Sequence, residues 1–535
     1  MPGAPATRPK SIGEQSVNYG LFLIWLAAVV VGALHHAVWR DEVRALSLAL
    51  QGQTPGGFFA AIHGEGHPLL WYVLLRGAHA VFPTPLVLPV VALIVAALAM
   101  LVLAARSPFS WPTIALVLAS HFAVFEYAVM ARNYGISVLF IFLFAAAYPS
   151  QRGRGVVLGL VLFLLADCNV HSVPLVGALL LFWGLDIVFE TGLAWTPAFK
   201  VFAVNAAIAA AGVLACALTV LPTFNDAGVP NWAGGPPILP AVKAVLDPGS
   251  LFGAITADCV KALFGGLAPW PGGLAKPIEA VMSMLLFGAA IGLVRRPAAC
   301  VAAFAGLWGL SVLFAVAAPG EYRHEALWIA LLIALYWISL DRQRVQPAAP
   351  TEGRELTAIL ARWGGVAFLA LLFLQAIPGS LDLIRMVRPS PPWSRSQDLA
   401  NLIESRPDLR QAIVVAEPDY DLEALPYYIL NRLYLMREHR FGDVVRFTKH
   451  AQLDLTLGDV LDNAHRLRAQ SGSPVVILLQ ERLDGLTTGG KTMEAYDWSF
   501  SMTPAEIQAF RKATVQLARF GPSLSGEDFD VYEVR

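Results

Sequence analysis

The chain has 535 residues, of which 56% are hydrophobic and 14% charged, with a formal net charge of −1 and a mean hydropathy of +0.59. A water-soluble protein of this length carries roughly 25% charged residues, so the long apolar runs point to a polytopic membrane protein rather than a soluble enzyme. The balanced charge gives no reason to expect nucleic acid as a partner.

A helix that crosses a bilayer needs about 20 mostly apolar residues. The N-terminal stretch from Met1 to Val17 is polar and contains Arg8 and Lys10. The run after it is long for a signal-peptide core and lacks a cleavage site, so it reads as a retained first span. Eleven spans are predicted, at 19–38, 84–105, 111–128, 133–150, 155–171, 173–190, 200–221, 277–294, 298–317, 324–340 and 360–379. Residues 67–82 follow Gly66-His67-Pro68 and contain Arg76 and His79; they suit a re-entrant or interfacial helix, or a twelfth span. With the N-terminus inside, the inner loops carry Arg106, Arg152 with Arg154, Lys200, Arg295 with Arg296, and Arg342 with Arg344. That agrees with the excess of Lys and Arg in cytoplasmic loops.

The tail from about residue 385 is less apolar and falls outside. Residues 412–416 and 474–479 read as buried strands, 455–470 and 504–519 as amphipathic helices, and 529–534 as an edge-like strand. Thr503 is an N-cap candidate for the second helix. The expected architecture is therefore an α-helical polytopic membrane region, 1–384, followed by an extracytoplasmic α/β domain, 385–535. Cys168, Cys216, Cys259 and Cys300 lie in or beside apolar stretches without metal-type spacing and read as packing residues.

Polar residues gather at the predicted outer face. Asp41 and Glu42 follow the first span, and His63, Glu65 and His67 come about twenty residues later. Arg132, Asn133 and Tyr134 open the fourth span, Asp167, Asn169 and His171 close the fifth, and Glu321, Tyr322, Arg323, His324 and Glu325 open the tenth. Ionisable groups near membrane depth cost several kcal/mol unless paired or wet, which makes them functional candidates. A carboxylate beside an apolar cavity can act as a general base, and Arg suits phosphate because its guanidinium makes two parallel hydrogen bonds. The plainer readings are interfacial charge for Asp41-Glu42, a helix start for His67, and a snorkelling anchor for Arg132.

In its order of motifs the chain resembles the polytopic GT-C glycosyltransferases, in particular bacterial relatives of protein O-mannosyltransferases and of the lipid A aminoarabinose transferase. The resemblance rests on Asp41-Glu42 in the first outer loop, on His67-Pro68-Leu69-Leu70-Trp71-Tyr72, on Ala131-Arg132-Asn133-Tyr134, and on Glu321-Tyr322-Arg323-His324. It covers roughly residues 19–340. It departs from the family pattern at Pro68-Leu69, where a double proline is usual, and in the order of Tyr322 and Arg323.

The resemblance implies transfer of a sugar from a polyprenyl-phosphate donor to a lipid, glycan or protein acceptor at the extracytoplasmic face of a bacterial inner membrane. It implies Asp41 as the base of an inverting displacement, with Glu42 assisting. Arg323 is then the leading partner of the donor phosphate, with Arg132 and His324 behind it. His67, Tyr134, His171 and Tyr322 complete the expected substrate-binding set. No cofactor is implied; the carboxylates and histidines leave a divalent metal open, but no His-Glu-x-x-His or Asp-x-Asp spacing occurs. The competing readings are a transporter or flippase of a lipid-linked or anionic solute, which calls for repeated halves and broken midplane spans, and a glycan polymerase or ligase, which the long 222–276 loop suits.

Overall fold

The computed structural model describes residues 11–221, 226, 238–264, 275–317, 319–345, 355–387, 391–484, 491–495 and 497–535. Arg8 and Lys10, much of the long 222–276 outer loop and most of the Pro/Ala-rich inner loop fall outside the described residues.

Among the described residues eight helices are long and apolar enough to cross a membrane: Ile12–His35, Val87–Arg106, Tyr134–Gln151, Ser172–Thr191, Pro197–Val220, Pro297–Val316, Tyr322–Asp341 and Glu355–Met386. Three of the eleven predicted spans are shorter than expected. The 111–128 run makes only the Trp111–Leu118 helix, then a π-helical turn at Phe122–Glu126. Gly379 of the Glu355–Val387 helix explains the break. A Cβ there would lie 2.1 Å from the Ala119 carbonyl oxygen, so the two backbones touch where the shorter helix ends. The 155–171 run yields ten helical residues, Val157–Ala166, and the 277–294 run yields Ala275–Ile291. Residues 67–82 form a helix of 13 residues, Leu69–Val81. At 1.5 Å per residue it is about 20 Å long, short of the roughly 30 Å hydrocarbon core.

The Tyr322–Val345 helix sits at the centre of the bundle. Ala326 through Leu335 are fully buried, as a helix that is apolar all round requires. Its first turn, which carries Arg323 and His324, is thereby held on a rigid base.

The C-terminal region is a mixed sheet with helices. Its strands are β1 Ile413–Glu417, β2 Arg432–Leu435, β3 Arg440–Phe441, β4 Asp454–Thr456, β5 Val475–Leu479, β6 Lys491–Ala495, β7 Trp498–Met502, β8 Thr514–Phe520 and β9 Phe529–Val534. Six of them pair in the order β3-β2-β1-β5-β9-β8, and three in the order β4-β7-β6. β1 lies parallel to both β2 and β5. Alternate residues of β1 and β5 feed two cores. Ile413, Val415 and Ile477 pack with the Leu457–Ser471 and Pro504–Ala513 helices. Val414, Ala416 and Val476 pack with Leu399 and Ile403 of the Ser396–Ser405 helix. Burial on both faces explains why these strands are continuous apolar runs.

Two expectations for this region are corrected. The 504–519 helix stops at Ala513, where the Thr514 hydroxyl turns back to the Phe510 carbonyl at 2.7 Å and β8 begins. The last strand is not an edge, because β9 lies between β5 and β8. Its second partner, β8, falls where the sequence had suggested the end of a helix.

The segment between β1 and β2 and the turn before β9 both face the membrane region. The Tyr428 hydroxyl donates to the Val38 carbonyl at 2.8 Å, and Glu527 accepts from the Arg40 N–H at 3.0 Å. A parallel strand's carboxyl end is where α/β sheets present functional loops.

Candidate active site

A short helix, Arg40–Leu50, starts directly after the first span. Its two leading carboxylates point different ways, since successive helical residues sit about 100° apart. Glu42 has no exposed surface. It accepts from the Trp39 N–H at 3.1 Å and the Ala131 N–H at 2.5 Å, and meets His36 Nε2 at 2.8 Å. Glu42 therefore lies off the cavity wall and ties three segments together.

Asp41 faces a cavity of about 200 Å³. Arg132 Nη1 donates to its Oδ2 at 2.6 Å, and Arg40 Nε lies 3.5 Å from Oδ1. Burial favours the protonated form of Asp41, but Arg132, Arg40 and Arg323 outweigh it and hold the carboxyl below its ordinary range. Burial likewise opposes the charge of Arg132, and Asp41 more than restores it.

His67 lies on the same wall. Burial first, and then Arg132, push its pKa down to about 4, so it is a neutral imidazole near pH 7. Its position is fixed from both sides. The Gly64 N–H donates to the Thr219 carbonyl at 3.0 Å, and Asp167 takes the N–H groups of Leu69 and Leu70 at the next helix start. Arg76, awkward in an apolar stretch, donates to the carbonyls of Ala49, Gln51 and Gly52 at 2.6–2.9 Å and so caps the end of the Arg40–Leu50 helix.

Tyr134, His171 and His324 form an adjoining aromatic group. The rings of His171 and His324 stack at 4.0 Å and 8°, and Tyr134 Oη lies 2.9 Å from His324 Nε2. The Glu321 N–H points at His324 Nδ1 from 3.1 Å, so the imidazole proton sits on Nε2 and is donated to Tyr134. His171 Nδ1 is buried without a hydrogen-bond partner among the described residues.

Arg323 pairs with Glu321, while its Nε is buried without a hydrogen-bond partner among the described residues. Its charge is felt at both Asp41 and His67. Tyr322 is placed apart from the cavity lining. Its hydroxyl bonds Gln375 of the Glu355–Val387 helix, and its ring meets His121 edge-on at 4.4 Å. One residue further round the helix than Arg323, it faces away from the cavity.

Arg44, Glu423 and Phe447 join the cavity wall without having been expected there from the sequence. Arg44 grips Glu65 with Nε and Nη2, the latter at 2.7 Å, and also pairs with Glu423 of the C-terminal region. Glu423 in turn accepts from the Val445 N–H at 2.6 Å. Trp71, Tyr72 and Phe447 supply aromatic wall. Nothing in the local sequence marks Glu423 or Phe447, because the cavity joins them to residues more than three hundred positions away. Among the described residues no group of three His, Cys, Asp or Glu side chains is placed to hold a metal ion.

No family model and no curated protein sequence matches the chain. Solved structures that are similar to it include two of one protein. One is the crystal structure of ArnT from Cupriavidus metallidurans in the apo state, at 13% identity and a TM-score of 0.45, covering 96% of this chain and 98% of that one. The other is ArnT from Cupriavidus metallidurans bound to undecaprenyl phosphate, at 12% identity and a TM-score of 0.46, covering 98% of each chain. The structural neighbours of this chain therefore include ArnT, aligned over nearly the full length of both proteins.

Proposed function

We propose that this protein is a membrane glycosyltransferase that moves a sugar from a polyprenyl-phosphate donor to an acceptor hydroxyl at the extracytoplasmic face. The observation that carries the reading is the Asp41–Arg132 pair on a partly closed cavity that also holds His67, with Arg323 near enough to act on both Asp41 and His67. A carboxylate paired to the cations that can take a phosphate, as Asp41 is and the Arg44-bound Glu65 and Glu423 are not, is what a single inverting displacement needs.

In this mechanism the acceptor oxygen attacks the anomeric carbon as the bond from that carbon to the phosphate oxygen breaks. The acceptor proton goes to Asp41, and the polyprenyl phosphate leaves with its charge held by Arg132 and Arg323. Arg132 links the two halves of the step. While it is bonded to Asp41 the carboxylate is a weak base, because the cation favours its charged form. A donor phosphate competes for the same guanidinium, so its arrival frees Asp41 to accept a proton. Neutral His67 and the Tyr134–His324 pair can donate hydrogen bonds without adding charge. Glu42 is a positioning residue, fixing the turn that aims Asp41 and the Ala131–Arg132 backbone.

The transporter reading is less well supported, since Asp41, His67 and Arg132 share one cavity, while the buried Asp186 is taken up by Arg152 and Arg296. Transfer of labelled sugar in proteoliposomes supplied with a panel of polyprenyl-phosphate sugars tests the proposal. Sugar transfer supports it, and movement of intact labelled lipid across the bilayer without transfer contradicts it.

A further inference from the structure

We propose that the end of the Asp41 cavity bounded by Arg44, Glu65, Trp71, Glu423 and Phe447 is a sugar-recognition subsite, through which the C-terminal region selects the donor's sugar. The inference rests on the donor class proposed above. Three independent features meet there.

The first is charge. Arg44 is taken up by two carboxylates, Glu65 and Glu423. A phosphate at this end would face both of them, whereas Arg132 and Arg323 lie toward Asp41 and His67. The donor is therefore oriented, with its phosphate toward Arg132 and Arg323 and its sugar ring toward Glu65 and Glu423. Carboxylate oxygens have several acceptor directions each, which suits the hydroxyl or amino groups on a sugar's rim.

The second feature is an orphan donor. Trp71 is 2% exposed, and its Nε1–H is buried without a hydrogen-bond partner among the described residues. Native structures rarely leave such a group unpaired. A ring hydroxyl in the cavity supplies the missing acceptor.

The third is backbone strain. Phe447 has φ +47°, a left-handed conformation that bulky side chains seldom adopt. Such conformations persist where the surroundings enforce them, and they concentrate at ligand clamps. Here Trp498 stacks behind the ring at 5.4 Å and 22°, and Arg44 lies over it at 5.2 Å. Held there, Phe447 joins Trp71 and Tyr72 in an aromatic wall beside a polar rim, which matches the apolar face and hydroxyl edge of a pyranose.

The test uses the full chain in proteoliposomes with polyprenyl-phosphate sugars that differ at one ring substituent, comparing the parent with Glu423→Gln and Phe447→Leu. The readout is the ratio of kcat/KM between sugars, alongside binding of polyprenyl phosphate that carries no sugar. A fault in folding alone scales all sugars together and leaves the ratio fixed. The expected result is a change of about 10- to 100-fold in at least one ratio, the range for losing a hydrogen bond to a charged group, with bare lipid binding within about twofold. Should Glu423→Gln fail to fold, Phe447→Leu leaves the ion pairs intact and is expected to shift at least one ratio as well, through lost aromatic contact rather than a lost hydrogen bond. Unchanged ratios in folded, active variants overturn the subsite alone. No transfer by the parent from any donor overturns the proposed function as well.

Discussion

Glu42 offers a clean separation of structure from chemistry. In Glu42→Gln one carboxylate oxygen becomes an NH2 group. If the amide oxygen takes the place of Oε1 it keeps the Ala131 N–H and turns a donor toward the Trp39 N–H; if it takes the place of Oε2 the reverse holds. Either way one buried backbone N–H loses its acceptor, at a cost of about 1–3 kcal/mol. The variant should therefore unfold earlier in a denaturation series in detergent. Its turnover per folded molecule should stay within about tenfold of the parent, against the loss of about 10²–10⁴ that follows removal of a general base. A Glu42→Gln protein as stable as the parent but with turnover down by 10² or more would refute the positioning role and return Glu42 to the reaction.

Other expectations follow from the same geometry. Replacing Arg132 by Gln removes the cation that does most to hold Asp41 charged, so Asp41 protonates at higher pH and the acid limb of the kcat/KM profile moves upward; an unmoved limb would detach Arg132 from Asp41. In Tyr322→Phe only the bond to Gln375 is lost, so stability falls by about 1–3 kcal/mol while kcat/KM for transfer is kept; a selective loss of transfer would place the hydroxyl at the substrate after all. His67 is held at about 4, below its ordinary 6.5. The fold thus resists its protonation, and acidification from 6.5 toward 4 costs stability. His67→Gln should therefore flatten the fall in melting temperature across that window, and a parallel fall would contradict the neutral assignment.

Much of the site was legible because its residues sit next to span ends. Asp41, His67, Arg132, Tyr134, His171, Arg323 and His324 were expected at one face; Asp41, His67 and Arg132 line the cavity, Tyr134, His171 and His324 pack together, and the charge of Arg323 acts on Asp41 and His67. What was hidden depends on direction and distance. Asp41 and Glu42 are adjacent in sequence but diverge on the helix, as Tyr322 and Arg323 do. Composition marks a residue as polar without telling which way it points. Glu423 and Phe447 reach the cavity only through the docking of the C-terminal sheet on the Arg40–Leu50 helix, a long-range contact with no local signature. Hydropathy also overestimated the length of some helices: the 111–128 run is apolar enough for a bilayer, yet its α-helix ends where the Gly379 backbone meets it.

The most direct test of the central claim is sugar transfer by Asp41→Asn in proteoliposomes, measured with bound polyprenyl phosphate and a melting curve for the same preparation. Asn keeps the size of the side chain but cannot accept the acceptor's proton. The account predicts a folded protein that still binds the lipid phosphate and transfers sugar about 10²–10⁴ times more slowly. Full transfer by Asp41→Asn would show that the carboxylate beside Arg132 is not the base, and the mechanism would fall.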